Sequence, residues 1–199
     1  AFILVGIDGL NKYSGSFWMN SAINGRREDH AVMEVPALIN ATYRTKSGPE
    51  NTGISGFSMG GFAAINIGMR YPQIFGHIHA IAPALHMEPI EMEEEKHLKA
   101  KICAFTPEYV LNKTGKKVGQ RDLAHYVDRM VPDKTVCSTL DQNFGVSYLT
   151  DLVAQYSPLD DNNQRIYLEY GEYDRNRYIR IGSELFSNLL KAKDITHKL

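Results

Sequence analysis

The sequence predicts an α/β fold, with a mostly parallel sheet and helices on both of its faces. A continuous apolar run, typical of a strand covered on both faces, lies at 2–7, and two further stretches of strand length lie at 77–82 and 165–170. Stretches with helical spacing follow such runs, and this alternation indicates an α/β layering. The block at 84–160 breaks the alternation.

The composition indicates one globular domain. A chain of 199 residues is long enough for a sizeable core. The 22 basic and 23 acidic residues nearly balance, so we expect no nucleic-acid partner. No apolar run reaches the roughly 20 residues that a membrane span needs. Two cysteines, Cys103 and Cys137, are too few for a disulfide framework. These properties do not predict the oligomeric state.

Both ends of the sequence resemble the interior of a domain. The first residues, 1–5, predict a buried strand, and 195–199 predict the opening of another. There is no initiator methionine and no signal-peptide pattern. We therefore expect this chain to be a fragment of a longer polypeptide, incomplete at both ends, and the localisation stays open.

The stretch around Ser58 has the pattern Gly-x-Ser-x-Gly, which is typical of a nucleophile elbow. The run 51–55 before it predicts a strand, and the apolar run 62–70 after it predicts a helix. On this interpretation Gly56 and Gly60 are both required, because side chains at either position would collide across the turn. Ser58 is then the candidate nucleophile, and the backbone N–H of Met59 is a candidate oxyanion donor.

A longer stretch carries a family resemblance. The run from Gly56 to Ala64, followed by Arg70-Tyr71-Pro72 and Phe75-Gly76, resembles the putative esterase family. This family of α/β-hydrolases includes feruloyl and acetyl-xylan esterases, S-formylglutathione hydrolases and mycolyltransferase antigens. The similarity extends to 5–9 and to 170–174. The resemblance implies an α/β-hydrolase domain over 1–199, with a lid inserted at about 84–160.

Asp174 is the candidate catalytic acid. It follows the predicted strand 165–170 at its carboxyl end, and serine before acid is the chain order of this fold. A carboxylate there would accept the imidazole N–H and stabilise the imidazolium. A second interpretation, a helix N-cap, is compatible with that role. Asp160 and Asp161 are weaker candidates because they precede the strand.

The segment from Asp8 to Trp18 follows the first predicted strand. Ligands of α/β sheets bind beyond the carboxyl ends of strands, so we expect this segment near the active site. Trp18, the single tryptophan, could stack on an aromatic or sugar group of the substrate. The alternative is a loop tryptophan used for packing. Further along, Asp29 is the candidate N-cap of a helix at about 30–43.

The histidines leave the triad incomplete. His197 is the one histidine after Asp174. The resemblance implies that it opens a last strand without a chemical role, that the catalytic histidine lies beyond Leu199, and that the second oxyanion donor precedes Ala1. The alternative is that His197 itself completes the triad with Ser58 and Asp174. The spacing His77-x-His79 occurs in some metal sites, but no third ligand is recognisable nearby. We expect no metal and no cofactor.

These observations predict a serine carboxylic ester hydrolase that acts through an acyl-enzyme. The substrates would be small-molecule or carbohydrate-linked esters, such as feruloyl or acetyl esters. One alternative is an acyltransferase of the same fold that uses an alcohol or sugar acceptor. The other is a non-catalytic carbohydrate-binding homologue that has kept the Gly-x-Ser-x-Gly turn around Ser58.

Overall fold

The computed structural model of the chain describes residues 2–9, 16–21, 25–85, 146–158 and 165–199. The chain divides into two compact units, and the described residues up to Ala41 belong to the first unit and those from Thr42 onward to the second. Most of the predicted lid lies outside the described residues. So do several residues named above: Cys103, Cys137, Asp160 and Asp161.

The first described residues of the first unit, 2–9, form no strand. Residues 2–9 have no regular secondary structure. Phe2 and Leu4 are 87% and 86% exposed, so the prediction of a buried strand at 2–7 is wrong for these residues. An apolar run becomes a strand only where a neighbouring strand completes its hydrogen bonds. No described strand pairs with 2–9.

A short hairpin then leads into a helical segment. Strands β1 (Asn20–Ser21) and β2 (Gly25–Arg26) are antiparallel. The helical segment consists of α1 (Arg27–Asp29), a π-helical turn (His30–Glu34) and α2 (Val35–Thr42).

The helical segment is capped by a residue of the hairpin. Asn20 Oδ1 accepts hydrogen bonds from the backbone N–H groups of Glu28 and Asp29, at 3.0 and 3.3 Å. The prediction of Asp29 as N-cap is therefore wrong, since Asp29 lies inside the first turn. Its carboxylate instead accepts from Asn20 Nδ2 and from Arg26, and these two hydrogen bonds lower the pKa of Asp29. The hairpin thus supplies the cap from outside the helix.

The second unit is built on a parallel sheet with the order β3-β4-β5-β6. The strands are β3 (Gly53–Phe57), β4 (His77–Ile81), β5 (Arg165–Glu169) and β6 (His197–Lys198). The remaining elements are a 3₁₀ turn (Pro49–Asn51) and the helices α3 (Met59–Arg70), α4 (Val146–Gln155) and α5 (Arg177–Lys191). The parallel sheet confirms the predicted α/β fold.

The register of the sheet assigns side chains to its two faces. Ile54, Ile78, Ile166 and His197 form one row across the strands. The next row, on the opposite face, consists of Ser55, His79, Tyr167 and Lys198. Paired residues of neighbouring strands point to the same face, and successive residues alternate.

Helix α3 packs closely on the first of these faces. A Cβ atom on Gly68 of α3 would lie 2.4 Å from Cγ1 of Ile78, so glycine lets the helix approach the sheet. Ile78, Ile166 and Leu168 are buried there. We call this the covered face and the other the polar face. None of the helices in the described part of the chain is long and apolar enough to cross a membrane.

Candidate active site

Ser58 occupies a strained turn between β3 and α3. Its backbone has φ 54° and ψ −111°, a region that costs a non-glycine residue about 1–3 kcal/mol. Three backbone hydrogen bonds hold it there. The N–H of Ser58 donates to the Ile81 carbonyl at 2.9 Å, and its carbonyl accepts from Phe62 and Ala84 at 3.0 and 3.1 Å. The predicted order of strand, turn and helix is confirmed.

The glycines around Ser58 differ in how far the turn depends on them. A Cβ atom on Gly56 would lie 2.2 Å from the carbonyl oxygen of Gly60, so a side chain at position 56 cannot be accommodated. A Cβ atom on Gly60 would meet no described atom within 4 Å. The prediction that both glycines prevent a collision is therefore wrong for Gly60. Gly61 is also constrained, because its Cβ would lie 2.9 Å from the Ile81 carbonyl oxygen.

The turn leaves the Ser58 side chain beside the start of a helix. Ser58 is half-buried, and its Oγ has no hydrogen-bond partner among the described residues. Met59 is the first residue of α3, so its N–H lies at the positive end of the helix dipole. A negative charge that develops close to Ser58 would be stabilised at this end of the helix.

Asp174 follows β5 in a turn that leads to α5. Its backbone N–H donates to the Gly171 carbonyl at 3.0 Å, and its Oδ1 accepts from the Asn176 N–H at 2.8 Å. Oδ2 has no partner among the described residues. Tyr178 lies close by, and its pKa is raised first by burial and then by the negative charge of Asp174. One carboxylate oxygen therefore orients Asp174 and the other can accept a further donor.

The sheet brings Ser58 and Asp174 to the same edge. Ser58 follows the last residue of β3, and Asp174 lies a few residues beyond the end of β5. One strand, β4, separates β3 from β5, so their carboxyl ends lie two strand spacings apart, about 10 Å. This edge is where ligands of parallel α/β sheets bind.

His197 lies elsewhere and both of its ring nitrogens are engaged. Its Nδ1–H donates to the Ile195 carbonyl at 2.9 Å, and its Nε2 accepts from the Ser187 hydroxyl at 2.7 Å. His197 is in register with Ile54, about 13 Å short of Ser58 along the strand direction. This placement agrees with the expectation that His197 does not act as the general base.

The other two sheet histidines lie on the polar face. His77 Nε2 contacts the Glu50 carbonyl at 3.0 Å, and His79 Nε2 contacts Glu169 Oε1 at 2.6 Å. Their shared face agrees with the predicted His-x-His geometry. Among the residues that the structure describes, no three His, Cys, Asp or Glu side chains form a group that could hold a metal ion.

The sequence analysis missed a polar chain across three strands. Ser55 Oγ lies 3.5 Å from His79 Nδ1, and the same imidazole contacts Glu169. The order serine, histidine, carboxylate resembles a triad, but Ser55 lies in the middle of β3, where no helix start provides an oxyanion donor. The alternation of residues along three strands in register was the signal that could have revealed it.

Trp18 belongs to the first unit and lies in a turn that the sequence did not predict. Phe17 and Trp18 both have left-handed backbones, with φ 52° and 56°. Phe17 is buried and Trp18 is half-buried. A Cβ atom on Gly9 would lie 2.4 Å from Cζ2 of Trp18, so the indole packs directly on the backbone of Gly9.

The parallel sheet, with its helices and the serine turn at its carboxyl edge, has the architecture of an α/β-hydrolase. Residues 28–176 match the family model described as "Putative esterase", which is most of the chain, and the chain belongs to this family. Ser58 and Asp174 lie inside the matched range, whereas Trp18 and His197 lie outside it.

A solved structure of a ferulic acid esterase is similar to this chain, with a TM-score of 0.52 and 17% sequence identity. The similarity covers 88% of this chain and 51% of that one, so this chain spans about half the length of that protein. At this identity the likeness concerns the fold. A search of curated proteins found no match.

Proposed function

We propose that this protein is a serine carboxylic ester hydrolase in which Ser58 is the nucleophile. The observation that carries the proposal is the backbone of Ser58, with φ 54° at the junction of β3 and α3. A strained residue persists only where the surrounding structure enforces it, and such residues cluster at active sites. The contact between Gly56 and Gly60 enforces it here.

The chemistry would proceed in two steps through an acyl-enzyme. Ser58 Oγ attacks the carbonyl carbon of the ester while an imidazole takes its proton. The Met59 N–H donates to the oxyanion of the tetrahedral intermediate. The alcohol leaves with the proton of the imidazolium, and the acyl group stays on Ser58 Oγ. Water, deprotonated by the same imidazole, then attacks the acyl carbon. The bond from the acyl carbon to Ser58 Oγ breaks, Oγ takes the proton of the imidazolium, and the acid is released.

The role of Asp174 would be to hold that imidazole. An unengaged carboxylate oxygen accepts the imidazole N–H, fixes its tautomer and stabilises its cation. The hydrogen bond from Asn176 to Oδ1 orients the carboxylate for this task. Because His197 is engaged with Ser187 and Ile195, we assign the imidazole to a histidine outside the described residues.

For the substrate we propose a small-molecule or carbohydrate-linked ester, such as a feruloyl or acetyl ester, with Trp18 in contact with it. The family and the name of the structural neighbour support an ester. An acyltransferase would share the first step and replace water by an alcohol or sugar. Product analysis with and without a sugar acceptor separates the two activities.

Labelling of the intact protein with a fluorophosphonate tests the nucleophile. We expect the label at Ser58, and we expect Ser58→Ala to lower kcat/KM by at least about 10⁴-fold. Ser55→Ala is the matched control, since Ser55 lies in the same strand and contacts an imidazole. Labelling at another serine, with activity retained in Ser58→Ala, contradicts the proposal.

Replacement of Asp174 tests the acid. In Asp174→Asn the amide oxygen can still accept the Asn176 N–H, so the turn before α5 should be kept. We expect kcat to fall about 10³-fold or more with little change in thermal stability. If kcat is unchanged in Asp174→Asn, Asp174 does not take part in the mechanism.

A further inference from the structure

The chain bends sharply where it leaves β4. Ala82, the first residue after this strand, has a left-handed backbone with φ 43°, which is unfavourable for a residue with a side chain. Its N–H donates to the Glu169 carbonyl at 2.6 Å, and its side chain is buried. The contacts of the segment 81–85, which we call the β4 turn, must therefore impose this bend.

Glycines of two helices hold the β4 turn in place. A Cβ atom on Gly61 of α3 would lie 2.9 Å from Cα of Pro83. A Cβ atom on Gly182 of α5 would lie 2.0 Å from the carbonyl oxygen of Leu85. Both helices thus pack with their backbones directly on the turn, and Ala84 at its centre is buried. The β4 turn therefore has little freedom to move relative to the start of α3.

The β4 turn presents one N–H group to the backbone of Ser58. The Ala84 N–H donates to the Ser58 carbonyl at 3.1 Å. The same carbonyl accepts the Phe62 N–H at 3.0 Å, which is the first hydrogen bond of α3. Formation of the helix requires only the bond from Phe62. The bond from Ala84 is additional, and it comes from the end of a neighbouring strand.

The Ser58 carbonyl belongs to the same peptide group as the Met59 N–H. This peptide is trans, and a trans peptide is planar, so its carbonyl and its N–H point in opposite directions. A donor that fixes the carbonyl therefore also fixes the direction of the N–H. A hydrogen bond to the carbonyl polarises the peptide as well, which makes its N–H a stronger donor.

We propose that Ala84 is a positioning residue, whose backbone N–H orients and polarises the peptide between Ser58 and Met59 so that the Met59 N–H is directed at the oxyanion. The inference rests on the proposed hydrolase mechanism and adds a residue to it. Ala84 acts through this peptide and not on the ester itself. Loss of its N–H should weaken the stabilisation of the tetrahedral intermediate and leave the binding of the ester unchanged.

Incorporation of lactic acid in place of Ala84 removes this N–H and keeps the methyl side chain, because the backbone amide becomes an ester. Loss of a complete oxyanion donor costs about 10²–10³-fold in kcat, and a misdirected donor should cost less. In the intact protein we expect Ala84→lactic acid to lower kcat for para-nitrophenyl acetate about tenfold, with KM within about twofold of the parent value.

The matched control replaces Leu85 by its hydroxy acid, leucic acid. This change removes the N–H that donates to the Pro83 carbonyl at 2.8 Å and keeps the Ala84 N–H. Each variant loses one hydrogen bond of the β4 turn, so their thermal stabilities should fall by similar amounts, whereas only Ala84→lactic acid should lose kcat. Equal losses of kcat in both variants overturn the proposal, as does a parent-like kcat in Ala84→lactic acid.

Nuclear magnetic resonance tests the contact without relying on activity. In the parent protein, a scalar coupling across the hydrogen bond should join the Ala84 nitrogen to the Ser58 carbonyl carbon. In Ala84→lactic acid, the Met59 amide proton should move to lower frequency, because its peptide is less polarised, and in Leu85→leucic acid it should not move. If Ala84→lactic acid does not fold, absence of the coupling in the parent protein still overturns the proposal.

The failure of the hydrolase proposal would give a different pattern. If the fluorophosphonate does not label Ser58 but the Met59 amide proton responds in Ala84→lactic acid, Ala84 polarises this peptide and the hydrolase proposal is wrong. If Ser58 is labelled and Ala84→lactic acid keeps the parent kcat, the hydrolase proposal stands and the positioning role of Ala84 is wrong.

Discussion

The two faces of the four-stranded sheet differ in what their side chains contact. On the covered face, Ile78 is 0% exposed and lies against Gly68 of α3. On the polar face, the next residue, His79, keeps 43% of its side chain exposed and contacts Glu169, whose side chain is 58% exposed. The side chains of successive residues in one strand therefore lie in two different environments.

This difference between the two faces explains which contacts determine the backbone conformation of Ser58. Gly56 belongs to the same row as Ala80 and Leu168 on the covered face. The start of α3 passes directly over Gly56, so the packing of this face and the conformation of Ser58 are coupled. Changes on the covered face should therefore affect both stability and the turn.

The largest effect is expected from Gly56→Ala. The added Cβ would lie 2.2 Å from a backbone oxygen, which no side-chain rotation can relieve. We expect a loss of more than about 3 kcal/mol in the free energy of unfolding, together with loss of Ser58 labelling. Urea denaturation measures the first and the fluorophosphonate the second.

Gly60→Ala is the matched control for that variant. No described atom lies within 4 Å of its added Cβ, and position 60 is in the first turn of α3. Alanine at a compatible helical position is neutral or stabilising by about 0.5–1 kcal/mol. Equal destabilisation by the two substitutions would contradict the steric argument.

A smaller effect is expected from a pair of substitutions on opposite faces of β4. Ile78→Ala leaves a cavity beneath α3 and should cost about 3 kcal/mol. His79→Ala removes a partly exposed contact with Glu169 and should cost less than about 1 kcal/mol. The free energy of unfolding of each variant measures the difference. Similar values for both would mean that the polar face is as tightly packed as the covered one.

The last effect concerns the alkaline stability of the region around α4, and it is confined to pH values above about 10. Tyr156 follows α4, which packs against α3 and α5, and burial raises the pKa of Tyr156 to about 12. The folded state therefore disfavours the ionised phenol. This contribution to stability is complete below about pH 10, the ordinary pKa, and is lost as the pH rises to about 12.

Urea denaturation between pH 9 and pH 12 checks this dependence, over a range set by about 10 and about 12 as the two pKa values. Tyr156→Phe should flatten the decline in stability. Tyr173→Phe, at a side chain that is 87% exposed, controls for the loss of a phenol. A decline that is unchanged in Tyr156→Phe would show that other groups cause it.

Local patterns predicted those parts of the structure that depend on short stretches of chain. The glycines around Ser58 and the runs on either side of them predicted the strand, turn and helix, and the alternation of β4 placed His77 and His79 on one face. Contacts between distant residues were not visible. Asn20 replaces Asp29 as the cap because a hairpin folds back on the helix, and no spacing rule encodes that contact.

The errors have the same physical origin. The apolar run 2–7 satisfied the pattern of a strand, but a strand also requires a partner, and periodicity does not report one. The clash that requires Gly56 involves the path of α3 over the sheet, so the sequence could not show that Gly60 is under no such constraint. The Trp18 indole packs on Gly9, which lies outside the turn that contains Trp18, and no local pattern predicts that contact.

The strand pairings also imply an order of assembly. Ile54 pairs with Ile78 across the short segment that contains α3, whereas Ile78 pairs with Ile166 across a much longer stretch of chain. The entropy cost of closing a loop rises with its length, and pairings between distant residues form slowly. On a ribosome the chain from β3 to β4 emerges before β5, because synthesis proceeds from the N-terminus. The Ser58 turn can therefore acquire its backbone during synthesis, before the ribosome has translated Asp174.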